Sequence, residues 1–179
     1  MKKIGEDAFN TLYGVDTMIE PPWLYLYKTS FWRGNKFEYP VGMVHEDFAR
    51  TILIMLKAKS VVSTAVYGYF YYQSRKSITR GTNQQSNMSK AMDMLEHYDY
   101  MLKVIDDYNI NDVTKENVKS YYSNCLILKT EQLLGNYRSI YIDALKKKNI
   151  IDNIKVHNIK QFIKKLILKI DINLYLKLR

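Results

Sequence analysis

Tyr39-Pro40-Val41-Gly42-Met43-Val44-His45-Glu46-Asp47 and, further on, Arg75-Lys76-Ser77-Ile78-Thr79-Arg80 bracket the stretch on which the fold reading turns. Between them, His45 to Lys59 carries Phe48, Ile52, Met55 and Leu56 at helical spacing, with Glu46 and Asp47 in the first turn, where a helix dipole favours ionised carboxylates. Val61 to Val66 and Tyr69 to Tyr72, separated by Gly68, read as the strands of a hairpin. An acidic pair after a Pro/Gly turn and a cationic, hydroxyl-rich segment after a hairpin would then converge on one polar site.

Upstream, Pro21-Pro22 ends what precedes it, since neither residue offers a backbone donor. Trp23-Leu24-Tyr25-Leu26-Tyr27 reads as a short buried strand or turn, and Gly34-Asn35 as a turn. Downstream the pattern is helical. Ala91, Leu95, Tyr98, Leu102 and Ile105 share one face of a helix from about Ser86 to Asn109–Asn111. Thr114 is placed to cap a second helix with Val118, Tyr121 or Tyr122, Cys125, Leu128 and Gln132 on its face, stopping at Gly135. A third runs from Tyr137 to Lys147, and short connections make these antiparallel neighbours. The tail from Ile159 sets Phe162, Ile163, Leu166, Ile167 and Ile170 against Lys160, Lys164, Lys165 and Lys169, an amphipathic basic helix. The fold class expected is α+β: short strands and a helix carry the site, and a mainly helical region follows. The division expected is 1–85, then a helical extension over 86–148, then a basic tail over 149–179.

With 179 residues, 47% of them hydrophobic, the chain can bury a core. Its 27 basic and 18 acidic residues leave +9, which suits an anionic partner. From Lys146 to Arg179, ten Lys and Arg face only Asp152 and Asp171, so this tail holds a surplus of eight and the rest is nearly neutral. A nucleic-acid-binding module is an alternative suggested by the charge and the 16 tyrosines, but it is not favoured, because the charge does not interleave with the aromatic residues. The one cysteine, Cys125, excludes an internal disulfide and fits a buried structural thiol in a reducing compartment. Met1-Lys2-Lys3 is followed by Gly5-Glu6-Asp7 instead of an apolar run, and no stretch approaches a membrane span. A cytoplasmic location is expected, peripheral at the inner membrane face if residues 159–179 bind an anionic lipid surface.

Several residues are candidates for chemistry. A carboxylate fixed near a helix N-terminus is suited to accept a hydroxyl proton, and it equally serves as ordinary first-turn decoration. His45 beside Glu46 and Asp47 raises a metal site, for which three ligands at suitable spacing are not visible. Arg75 offers a fork of donors that fits phosphate oxygens, or it decorates a solvated loop. Trp23, Tyr25 and Tyr27 have the surface to stack on a sugar or base, or to fill a core.

Taken in order, Trp23-x-x-x-Tyr27-Lys28, Phe31, Pro40-x-Gly42, Glu46-Asp47 and Tyr72-x-x-Arg75 with Ser77-Ile78-Thr79 resemble the distal half of bacterial family 2 glycosyltransferases of the GT-A type. The resemblance covers residues 21 to 80. It implies Asp47 as the base that deprotonates the acceptor hydroxyl in an inverting transfer, with Glu46 positioning the acceptor. It implies Arg75 as the group that neutralises the leaving diphosphate of a nucleotide-sugar. Trp23 would shape the acceptor wall, and Ser77 and His45 complete the substrate-binding set. The chain departs from the family in having Trp23-Leu24-Tyr25 where Trp-Asn-Lys is common, Gln73 at a frequent Arg position, and one residue between Arg75 and Ser77 where two are commoner.

No Asp-x-Asp motif and no strand-and-helix nucleotide-binding half are seen ahead of Pro21. The expectation is therefore a glycosyltransferase fragment, inactive alone, that in the complete enzyme serves cell-surface polysaccharide synthesis with a glycan or lipid-linked acceptor. A divalent metal, Mg or Mn, and the nucleotide-sugar are expected only with the missing half. The alternative is a helical interaction module without catalysis.

Overall fold

A computed structural model describes residues 2–15, 17–72 and 83–179. The chain builds outward from three helices, α4 (Gln84–Val104), α5 (Asp112–Lys129) and α6 (Gly135–Lys147). α4 starts where Asn83 accepts a hydrogen bond from the Ser86 N–H at 2.8 Å, satisfying one of the donors that a helix start leaves open. Asn111 does the same for α5, accepting from the Thr114 N–H at 2.8 Å, so the cap lies at Asn111 instead of Thr114. Thr114 donates its hydroxyl to Glu6 Oε1 at 2.7 Å, and the same oxygen accepts from the Asn111 N–H at 3.0 Å. Glu6 thus closes the start of α5 from more than a hundred residues away in sequence.

The apolar faces of these helices meet. Ala91, Leu95 and Tyr98 of α4, Val118, Tyr122 and Leu126 of α5, and Tyr141 and Leu145 of α6 are fully or almost fully buried. Each large side chain here contributes about 1.5–3 kcal/mol of burial. The face of α5 is turned slightly from its sequence expectation: Leu126 and Ile127 are buried, Cys125 and Leu128 half-buried, and Gln132 exposed. α1 (Gly5–Gly14) and α3 (Arg50–Leu56) close over this bundle, and one apolar cluster runs from Ala8 and Phe9 through Ile52 and Leu95 to Ile172. Gly5 is required at the crossing. A Cβ there would lie 1.9 Å from the Met55 carbonyl oxygen, and the Gly5 N–H donates to the Ala58 carbonyl at 2.8 Å.

The expected α+β class is overturned: among the described residues the protein is helical. Its only sheet there joins β1 (Lys2–Lys3) and β2 (Val61–Val62), antiparallel with Lys2 opposite Val62. The hairpin expected over 61–72 does not form, since residues 63–72 adopt no regular element and Tyr67, Phe70 and Tyr72 stand exposed. Aromatic and β-branched residues favour strands by packing on a pleated, half-buried neighbour. Here only Val61–Val62 has one. The strand or turn expected at Trp23–Tyr27 is a 3-10 turn over Pro22–Leu24, followed by α2 (Thr29–Gly34).

α3 also begins later than its apolar spacing suggests. Ala49 is left-handed, with φ 65°, and the helix starts at Arg50, so Glu46 and Asp47 sit in the turn ahead of it and outside its first turn. The chain ends in α7 (Ile159–Ile170) and α8 (Ile172–Leu178). No helix among the described residues is long and apolar enough to cross a membrane.

Candidate functional site

The turn that carries the acidic pair is unusual in its backbone. Lys36, His45 and Ala49 all have positive φ, at 53°, 58° and 65°, and Gly42 lies at 86°. A non-glycine residue held left-handed costs roughly 1–2 kcal/mol, so the surrounding contacts must fix this conformation. α4 and α5 supply them. Asp93 accepts from the Val44 N–H at 3.0 Å, His97 Nε2 donates to the Val44 carbonyl at 3.2 Å, and Lys129 Nζ donates to His45 Nε2 at 3.1 Å.

His45 therefore faces the scaffold. Desolvation, followed by the charges of Lys129, His97 and Lys90, lowers its pKa to about 4, while Asp93 acts in the opposite direction. The ring is neutral at pH 7 and accepts the Lys129 proton donor. Lys129 is itself buried, and desolvation with Lys90 nearby lowers its pKa to about 8. His45, expected in the substrate-binding set, tethers the turn to α5 through Lys129.

Asp47 is a different case. Its carboxyl is half-buried, and desolvation raises its pKa to about 6, with the Glu46 and Glu20 charges adding to the rise. The backbone N–H groups of Asp47 and Phe48 oppose this by hydrogen bonding to the carboxylate. Glu46 is exposed beside it. Glu20, absent from the sequence expectation, accepts from the Tyr121 hydroxyl at 2.6 Å, and Cys125 Sγ lies 3.5 Å from its other oxygen. The Glu20 charge also raises the phenol of Tyr25, which desolvation chiefly drives to about 12. Glu20 is itself held on α5 through Tyr121 and Cys125.

The segment from Trp23 to Tyr27 opens an aromatic surface. Trp23, 38% exposed, stacks on Tyr69 and Tyr71 with centroids 5.5 and 4.9 Å apart. From Tyr25 the rings continue through Tyr27 to Trp32, which meets both Phe37 and Tyr39, at centroid spacings of 5.5–6.1 Å. Tyr39 feels the charges of both Asp47 and Glu46, although burial is the main cause of its raised pKa. It also lines a cleft of about 620 Å³ together with Phe37, Arg50, Lys57, Tyr100 and Tyr108. Arg50 lies 3.3 Å above the Tyr100 ring and Lys57 4.4 Å above that of Tyr108, placing two cations on aromatic faces inside the cleft.

Of the residues expected at the site, Asp47 and Glu46 lie together in the turn ahead of α3, His45 of the same turn is tethered to Lys129 of α5, and Trp23 stacks on Tyr69 and Tyr71. Arg75 and Ser77 lie outside the described residues. Among the described residues, no group of three or more His, Cys, Asp and Glu side chains is placed to hold a metal ion. The sequence signal for Glu20 was weak: a lone carboxylate before two prolines, whose partner Tyr121 lies in another helix. Compared with known protein families, curated proteins and solved structures, the chain matches none of them.

Proposed function

We propose that this chain provides the acceptor side of a glycosyl-transfer site, with Asp47 as the general base. The observation that supports this best is the position of Asp47 in the turn ahead of α3, half-buried beside the exposed Glu46 and close enough to the Tyr39 phenol for its charge to act there, with burial raising its pKa to about 6. A base of that strength is mostly ionised at neutral pH and takes a proton more readily than an ordinary carboxylate. The acceptor hydroxyl gives its proton to Asp47 as its oxygen bonds to the anomeric carbon. The bond from that carbon to the donor's diphosphate breaks, and its electron pair leaves with the diphosphate. Trp23 and its stacked tyrosines offer flat apolar faces to a sugar ring. Glu46, exposed, accepts hydrogen bonds from the acceptor's other hydroxyls. The order of motifs along residues 21 to 80 agrees with this reading, although the helical fold removes the GT-A-like frame expected around them.

Binding of the purified chain to an array of bacterial oligosaccharides tests the proposal. Wild type should hold a defined subset, Trp23→Ala should weaken binding by about tenfold, equivalent to about 1.4 kcal/mol, and Asp47→Asn should leave it nearly unchanged. An empty array, or binding indifferent to Trp23→Ala, contradicts the proposal. The exposed aromatic run at Tyr67–Tyr72 favours a second reading, a protein-interaction surface without catalysis. That reading expects an empty array.

A further inference from the structure

α7 is inside out. Its charged side faces the protein: Lys164 Nζ donates to Asn124 Oδ1 at 2.6 Å, and Lys165 Nζ donates to the carbonyls of Asp152 and Ile154 at 2.9 and 2.6 Å. Leu168 and, at the start of α8, Ile172 are the apolar anchors on this side, both buried. The opposite side carries Ile159, Phe162, Ile163, Leu166 and Ile170, each about half exposed or more. At 100° per residue these five lie within one third of the helix circumference, with Lys160 and Lys169 at its two borders. Leu174 and Leu178 of α8 are exposed as well.

We infer that this face docks on an anionic membrane surface, with α7 lying in the plane of the interface. Lipid is favoured over other occupants by charge. Within the basic segment from Lys146 to Arg179, Lys164 and Lys165 turn inward, and Lys148, Lys155 and Arg179 pair with Asp99, Glu116 and Glu131. Exposed Lys160 and Lys169 border the apolar face, where their ammonium groups reach lipid phosphates while their stems cover acyl chain. Lys169 keeps one ion pair to Asp152, at 2.7 Å, and is still half exposed. A second copy of the chain is disfavoured, because pairing two such faces would oppose two equally basic segments. The inference does not rest on the role of Asp47.

Flotation of the full chain with vesicles tests it. Phosphatidylcholine vesicles holding about 30% phosphatidylserine should carry the protein at least about tenfold better than pure phosphatidylcholine, and raised salt should release it. The outward pair Phe162→Ser and Leu166→Ser should lower flotation by about tenfold while the melting temperature stays within the spread of wild-type repeats. Because the pair is exposed, unfolding should not confuse the result; as a second reading, Phe162→Trp should show a blue-shifted emission with anionic vesicles. Equal flotation of wild type and the paired variant overturns the inference, as does absence of flotation with anionic vesicles, which would leave the face to a protein partner. An unshifted Phe162→Trp emission with bound vesicles also overturns it.

Discussion

The bundle of α4, α5 and α6 and the front segment, residues 20–49 and 63–72 on either side of α3, treat similar side chains in opposite ways, while α3 between them is buried with the bundle. In the bundle, tyrosines are interior: Tyr98, Tyr122 and Tyr141 are fully buried, and Tyr141 donates to the Leu126 carbonyl at 3.2 Å. In the front segment, Trp23, Tyr69, Phe70 and Tyr72 stand at the surface, and the backbone at His45 and Ala49 is held left-handed. The bundle keeps each local preference consistent with the fold, whereas the front segment departs from several at once. Such departures concentrate at functional or strained sites, because exposed aromatic surface and left-handed turns cost stability and persist only where surrounding contacts hold them. The bundle is the scaffold and the front segment is what it holds in place.

Substitutions should separate the two. The largest effect is expected at the crossing of α1 and α3: Gly5→Ala forces a methyl group against the Met55 backbone, and chemical denaturation should show a loss of about 3 kcal/mol or more. Within the bundle, Leu126→Ala should cost about 2–5 kcal/mol by the same measurement. Trp23→Ala, in the front segment, should cost less than either and act on saccharide binding instead. If Trp23→Ala destabilises as much as Leu126→Ala, the front segment is core and the comparison fails. A smaller loss, about 1 kcal/mol, is expected for Asn111→Ala, which removes the α5 cap. Smallest of all is Leu166→Ala on the outward face of α7, within about 0.5 kcal/mol.

The pH dependence sharpens the contrast between scaffold and site. His45, lowered from 6.5 to about 4, is neutral in the folded protein while the unfolded chain takes up a proton, so its contribution to stability falls as pH drops through that window. Asp47, raised from 3.8 to about 6, binds a proton in the folded protein that the unfolded chain has released, so its contribution falls as pH rises from about 4 to 6. The two slopes oppose one another. Thermal melts between pH 4 and 6 should therefore show stability rising more steeply with pH in Asp47→Asn than in wild type. His45→Gln should make stability rise less steeply with pH than in wild type, while His97, also lowered by burial, keeps its own rising contribution.

Much of the bundle was legible in the sequence. Ala91, Leu95 and Tyr98 repeat at helical spacing with no competing pattern, and the helix read from Tyr137 to Lys147 is α6. The front segment was not legible in the same way. Val61 to Tyr72 has strand-forming residues, but a strand depends on a partner that local sequence does not reveal, and only Val61–Val62 finds one. The start of α3 was misplaced because nothing about Ala49 announces a left-handed residue. In α7 the spacing revealed two faces without revealing which one the body would take, since Asn124 and the carbonyls of Asp152 and Ile154 that hold its lysines come from other parts of the chain. At the candidate site, Glu46 and Asp47 were readable as a pair. Glu20 and the tether from His45 to Lys129 depend on tertiary packing and were not.

The role given to Asp47 is the point on which the account stands, and its carboxyl carbon can be followed directly. A carbon-13 NMR titration of the wild-type chain, with Asp47→Asn to assign the resonance, should show Asp47 titrating near pH 6. Titration near 3.8, the ordinary value, would mean a solvated carboxylate on a surface turn and would contradict it.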